Sequence, residues 1–164
     1  MSIKQPINKA VAPLRAIFIN AQARTVEYID IPKGRVYETV RNLVFPGDEK
    51  GYIDAFRIDA NHYIYIDDEG VLKDWDQQHF FMFRTPPKGV CIAGNAVMLQ
   101  DDGAGGGKSV SLAIDMVRST VAWITPQEAH FPAPMITTFD ENNQPITAPI
   151  EPGVTEWTYN SRPA

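Results

Sequence analysis

Three histidines, one cysteine and two acidic clusters are the residues of this sequence best suited to chemistry. His62, His79 and His130 show no ligand spacing such as two histidines four apart on a helix, and Cys91 has no second cysteine to join it, so no zinc site is expected. Cys91 lies in the apolar run Val90-Cys91-Ile92-Ala93 and reads as a buried small hydrophobe. A nucleophilic thiolate needs an electropositive, partly exposed setting, and only Lys88 is near in sequence. Asp67-Asp68-Glu69 and Asp101-Asp102 could hold a hard cation or act as paired acid and base. Neither has the alternating oxygen ligands and late glutamate of a calcium loop, and both sit where turns select Asp and Gly. Ser109 and Ser111 lack the strand-turn-helix frame of a nucleophile elbow. No catalytic residue, metal or cofactor is expected.

The segment 101–109 invites a phosphate-binding reading, because Gly106-Gly107-Lys108-Ser109 imitates the end of a P-loop after a strand. That pattern needs glycine five positions before Gly107, where this chain has Asp102, and two carboxylates at the mouth repel phosphate. The loop is instead expected to be exposed and to present Asp101, Asp102 and Lys108 to a partner. Tyr52, Tyr63, Tyr65 and Trp75 are the aromatics able to line a ligand or base-stacking pocket, although cores are equally rich in such residues. His62 alternates with Ile64 and reads as a half-buried core histidine.

Composition bounds the rest. At 164 residues the chain suits one domain that buries about 68–70% of its unfolded surface. With 44% hydrophobic and 21% charged residues it is an ordinary globular composition. The net charge is −5 and the 15 Lys and Arg are scattered, so direct binding to a nucleic-acid backbone is not expected. The N-terminal region has no apolar run long enough for a signal peptide or a membrane span, which points to a cytoplasmic protein.

These residues must be positioned by short strands and few helices. Residues 1–13 read as an extended leader. Arg15 to Asn20 and Thr25 to Ile31 predict a hairpin whose second strand is two-sided or edge-like. Val36, Val40, Leu43 and Val44 predict an amphipathic helix over 35–45, stopped by Pro46-Gly47. Tyr52 to Ile58 and His62 to Ile66 form the clearest hairpin, turning at Asp59-Ala60-Asn61, and Asp67 to Gly70 reads as a tight turn whose glycine can take positive φ. Phe80 to Phe83 is a buried strand or helical turn. Val90 to Gln100 reads as one strand, with a bulge or close approach at Gly94-Asn95. For 109–124 both periods fit; a helix near 111–118 and a closing strand near 120–125 are expected. Residues 126–164 hold 7 of the 13 prolines and read as a C-terminal arm with one small hairpin, Met135 to Phe139 against Pro145 to Ala148, and with Trp157 and Tyr159 as anchors. The expected fold is α+β: a mostly antiparallel sheet over 14–125 with one or two helices packed on it, plus the extended Pro-rich arm 126–164.

Gly51-Tyr52-Ile53, Tyr65-Ile66-Asp67-Asp68-Glu69-Gly70-Val71-Leu72-Lys73 and Gly94-Asn95-Ala96-Val97-Met98-Leu99, in this order, resemble a family of small uncharacterised proteins of phages and mobile genetic elements. The resemblance covers about residues 14–125, and the long glycine loop and the Pro-rich tail depart from the family's pattern. It implies a mobile-element setting and assigns no catalytic residue. The function expected on these grounds is a non-enzymatic accessory protein that binds a host protein or a small ligand, counter-defence being one form of it. The alternatives are a virion or assembly component using the arm, with homo-oligomers formed through it, and a small nucleotide-binding protein or enzyme using loop 101–109.

Overall fold

In the computed structural model, residues 11–48, 50–74, 77–85, 91–126, 128–129 and 135–149 are described. Trp75, Trp157, Tyr159 and His130 lie outside them, as do most of the 1–13 leader and the rest of the arm. The strands are β1 (Leu14–Asn20), β2 (Thr25–Ile31), β3 (Ile53–Arg57), β4 (His62–Asp67), β5 (Phe80–Phe83), β6 (Cys91–Ala93), β7 (Ala96–Asp101), β8 (Gly107–Lys108), β9 (Val121–Ile124), β10 (Met135–Phe139) and β11 (Pro145–Pro149). The helices are α1 (Val36–Val44), entered through a 3-10 turn at Lys33–Arg35, and α2 (Ile114–Thr120). The fold is α+β with antiparallel pairing throughout the described sheets.

The central sheet runs β2-β1-β7-β4-β3, with β8 pairing the end of β7. A second sheet, β6-β5-β9, lies across one of its faces, and β10-β11 is a two-stranded sheet of its own, the small hairpin expected in the arm. Strand periodicity divides the core in two. Leu14, Ala16, Val97 and Leu99 point to one side and meet Val40, Val44 and Phe45 of α1 and its C-terminal end. Ile17, Ile19, Ile64, Ala96 and Met98 point to the other and meet Phe81, Phe83, Ile92, Val117 and Val121. The molecule therefore has three layers: α1, the central sheet, and the second sheet with α2. All four residues Ala96 to Leu99 are buried because β7 is covered on both faces.

The structure corrects several expectations. Residues 90–100 are not one interrupted strand: Gly94 takes φ +80 and turns the chain out of the second sheet, so that β6 and β7 belong to different layers. Only glycine occupies that region without strain. Gly70 does not take positive φ; it sits in a tight place, where a Cβ would stand 3.1 Å from the Ala93 side chain and carbonyl. The helix expected near 111–118 begins later, at Ile114, because Val110 and Leu112 are still spent on the core alongside Ile17 and Val117. Cys91 is half-buried rather than fully buried, and burial pushes its thiol up to about 11, towards the protonated form. β2 is an edge strand of the central sheet, as its two-sided pattern indicated. Among the described residues, no helix is long and apolar enough to cross a membrane.

Asn95 joins the layers at the crossing point. Its Oδ1 accepts from the Ala21 backbone N–H at 3.0 Å, where β1 ends, and its Nδ2 donates to the Leu43 carbonyl of α1 at 3.1 Å. Replacing Asn95 with Ala leaves a partly buried donor and acceptor without partners. The Asn95→Ala chain is expected to lose about 1–3 kcal/mol of unfolding free energy in denaturant titration. An unchanged midpoint would show that the side chain is not a structural tie.

Candidate functional site

The turn between β3 and β4 and the turn between β7 and β8 meet at one end of the central sheet. There the Asp101 N–H donates to the Asn61 carbonyl at 2.7 Å, and Arg57 bridges the two turns by donating to Asp101 at 2.7 Å and to the Ala60 carbonyl at 3.1 Å. Four of the residues singled out in the sequence gather here: Asp101, Asp102, Lys108 and Tyr63, with Tyr65 beside Tyr63. Their geometry is that of a closed structure. Asp102 Oδ1 accepts from the Ala104 and Gly106 N–H groups, and Asp101 accepts from Gly103. The amides that would cradle a phosphate are thus held by the chain's own carboxylates. The bond from Arg57 and then that from the Gly103 amide keep the Asp101 carboxyl below the ordinary range.

Tyr63 and Tyr65 pack on the α1 side of the sheet, edge to face at 5.2 Å, and Tyr65 donates a long hydroxyl bond to Tyr63 at 3.4 Å. The Tyr63 hydroxyl lies against the backbone of Gly107, where a Cβ would stand only 2.9 Å away. Burial, then the bond with Tyr65, raises the Tyr63 phenol further from ionisation. Lys108 is exposed and pairs with Gln100, which alternation places on the opposite face from Tyr63. Tyr52 is 71% exposed at the approach to β3. Tyr52, Tyr63 and Tyr65 line neither of the two cavities described below, and Trp75 lies outside the described residues.

A cavity of about 290 Å³ does exist, on the other face. It is open to solvent on one side and lies between α2 and the central sheet, lined by Ile58, Asp59, Phe83, Thr85, Met98, Leu112, Met116, Val117 and Thr120. Most of this lining is aliphatic, sulfur-bearing or aromatic, with Asp59, Thr85 and Thr120 as its polar groups. Met116, half-exposed on α2, stands at the wall nearest solvent. The cavity arises because α2 is short: its Val117 reaches the core while Leu112 and Met116 flank it without filling the space above Met98.

Next to two of these lining residues, Ile58 and Asp59, stands His62, 4% exposed and a buried polar residue among the described residues. Its carbonyl accepts from Ile58, its ring Nδ1 lies 3.0 Å from both carboxylate oxygens of Asp59, and it shares a sheet face with Ile64 and Met98. Its Nε2 is buried with no hydrogen-bond partner among the described residues. Leaving such an atom unsatisfied costs about 1–3 kcal/mol. Asp59 is itself strongly held: burial raises its carboxyl, but the Asn61 and His62 amides and the His62 ring outweigh that and bring it below the ordinary value. The sequence placed Asp59 in a turn and His62 in the core; the pairing between them was missed. Its signal was the Asp-x-x-His spacing across a tight β-turn.

A second hollow of about 340 Å³ lies between the β1–β2 turn and the second sheet, lined by Ala21, Arg24, Gln78, His79, Phe80, Ile124, Thr125 and Pro126. Among the described residues, no group of three or more His, Cys, Asp and Glu side chains is placed to hold a metal ion. Comparison with protein-family models, with curated proteins and with solved structures finds no match to this chain.

Because the folded Asp59 carboxyl lies below its unfolded value, the ionised form stabilises the fold at and above the ordinary carboxylate range, and this contribution is lost as pH falls through the folded pKa. Asp59→Asn removes that titration. Thermal unfolding followed from pH 7 to pH 2 is expected to decline less steeply below about pH 4 in Asp59→Asn than in the parent chain. Parallel declines would show that the Asp59–His62 pair carries no acid-sensitive stability.

Proposed function

We propose that this chain is a non-enzymatic binding protein that takes a small, largely apolar molecule into the cavity between α2 and the central sheet. The observation that carries the reading is the cavity itself: ligand sites are concave, mostly apolar and furnished with a few polar groups, and this one has that make-up. A cavity of about 150 Å³ accepts a benzene-sized guest, so 290 Å³ suits a guest of about a dozen non-hydrogen atoms. The reactive-looking groups, in the cavity wall and outside it, support binding over catalysis. Asp59, Asp101 and Asp102 each accept from backbone amides, and the phenol of Tyr63 and thiol of Cys91 are pushed towards their protonated forms.

The biological setting in this proposal is that of an accessory protein of a phage or mobile element, acting in the host cytoplasm by sequestering a small molecule. Its support is the run of short motifs in residues 51–99, whose glycines and asparagine hold structural positions in the crossing and the turns. Met116→Trp tests the binding role. The position is 50% exposed, so the fold tolerates the added bulk, while the indole covers the mouth of the cavity. Native mass spectrometry of chain purified from its host is expected to show one retained small molecule in the parent and none in Met116→Trp. Bare mass in the parent, together with no saturable amide shifts around Met98 and Val117 on titration with propylbenzene, would sink the reading.

A further inference from the structure

We propose that the second hollow, between the β1–β2 turn and the second sheet, binds a small ionised carboxylic acid: an apolar body seated against its hydrophobic wall and one carboxylate held by Arg24. The hollow shares no lining residue with the cavity beside α2, so the inference stands apart from that cavity's guest.

Arg24 ends the β1–β2 turn with φ +57. A residue with a Cβ is strained in this region, and glycine, asparagine and aspartate are the types that enter it most readily. Asn143, the other described residue besides glycines with positive φ, is one of these types; Arg24 is not. The turn is tied by the Ala23 N–H, which donates to Asn20 Oδ1 at 2.9 Å, and it takes nothing from the arginine side chain. Glycine would serve the backbone better, so the fold does not account for an arginine here. Strain of this kind gathers at binding sites.

The hollow supplies a reason. At about 340 Å³ it has the size of a small-molecule site. Buried Ala21 and Phe80 form its hydrophobic wall with Ile124 and Pro126, while Arg24, Gln78 and His79 bring N–H donors to it. Among the described residues, these three side chains make no hydrogen bond or ion pair. The described lining holds no acid, and Arg24 is its permanent charge. Glu128 feels the Arg24 charge but forms no ion pair with it; its Oε2 accepts instead from the Thr125 N–H at 2.9 Å and from the Thr125 hydroxyl at 3.1 Å.

This lining selects the head group. A guanidinium offers two parallel N–H bonds that match the oxygens of a carboxylate. An ammonium is repelled by Arg24, and a neutral head leaves the guanidinium without a counter-charge. Phosphate would bring up to two charges to one guanidinium, with no lysine and no helix N-terminus among the described lining residues, and inorganic phosphate would leave the hydrophobic wall without a contact.

The test titrates the full chain with 3-phenylpropanoate, its uncharged counterpart 3-phenylpropanamide, and inorganic phosphate, following backbone amide resonances. The propanoate is expected to shift the amides of Ala21, Arg24, Phe80 and Thr125 saturably and to bind about tenfold or more tightly than the propanamide, the value of a hydrogen-bonded charge. In Arg24→Gly, where glycine relieves the backbone, the thermal midpoint is expected to hold or rise while the affinity for the propanoate falls about tenfold or more. Comparison of propanoate with propanamide on the parent chain carries the test even without that variant. Equal affinities for the two probes, or unchanged propanoate affinity in a folded Arg24→Gly, would overturn the inference. So would shifts confined to Met98 and Val117, which would assign the acid to the cavity beside α2, or phosphate binding at Arg24 as tightly as the propanoate, which would make the hollow a site for free oxyanions. Absence of saturable shifts with the propanoate overturns it as well and leaves the first cavity's binding role untouched.

Discussion

Strand β7 is the member that every other part of the structure leans on. It is hydrogen-bonded to β4 on one side and to β1 and β8 on the other, and its two faces serve two separate cores. Ala96 and Met98 go to the second sheet, Val97 and Leu99 to α1. A strand enclosed in this way tolerates no polar residue in its middle, which is why the apolar run Ala96-Val97-Met98-Leu99 does not alternate. Polar residues return only where β7 leaves the layers, at Gln100, Asp101 and Asp102.

That end of the sheet shows how the chain treats charge. Its aspartates are turned back on their own turns, where backbone amides satisfy them. Exposed Arg57 links the two turns through Asp101, a surface pair of modest energetic weight that serves alignment more than stability. The contrast is His62, on the same end but inside. One ring nitrogen is engaged by Asp59, and the other has no partner among the described residues.

Much of the architecture was legible because the relevant signals are local. The β1–β2 and β3–β4 hairpins, the arm's hairpin and α1 follow from alternation, helical spacing and turn residues within stretches of 9 to 18 residues, and each appears close to its expected bounds. The division of 90–100 into two strands was not legible, since Gly94-Asn95 reads the same whether the backbone bulges within a sheet or leaves it. The difference lies in the Asn95 partners, Ala21 and Leu43, which are more than fifty residues away in sequence. The same holds for the site. The sequence marked Tyr63, Tyr65, Asp101, Asp102 and Lys108, and the structure does gather them, but around an engaged turn. The cavity depends on how far α2 stands from Met98, a packing distance that no local pattern encodes.

The central place of β7 also sets an order of events for the nascent chain. The β1–β2 and β3–β4 hairpins close over short loops, whereas β7 must find β1 across about eighty residues and β4 across about thirty-five. Until it does, the strands on either side of the sheet have no common neighbour, and their apolar faces are open to water or to other chains. Long-range closure of this kind is slow compared with hairpin formation. The molecule is thus assembled around a keystone that is synthesised after both of the arches it joins, and the exposure of Ile17, Ile19 and Ile64 before its arrival is the interval in which aggregation competes with folding.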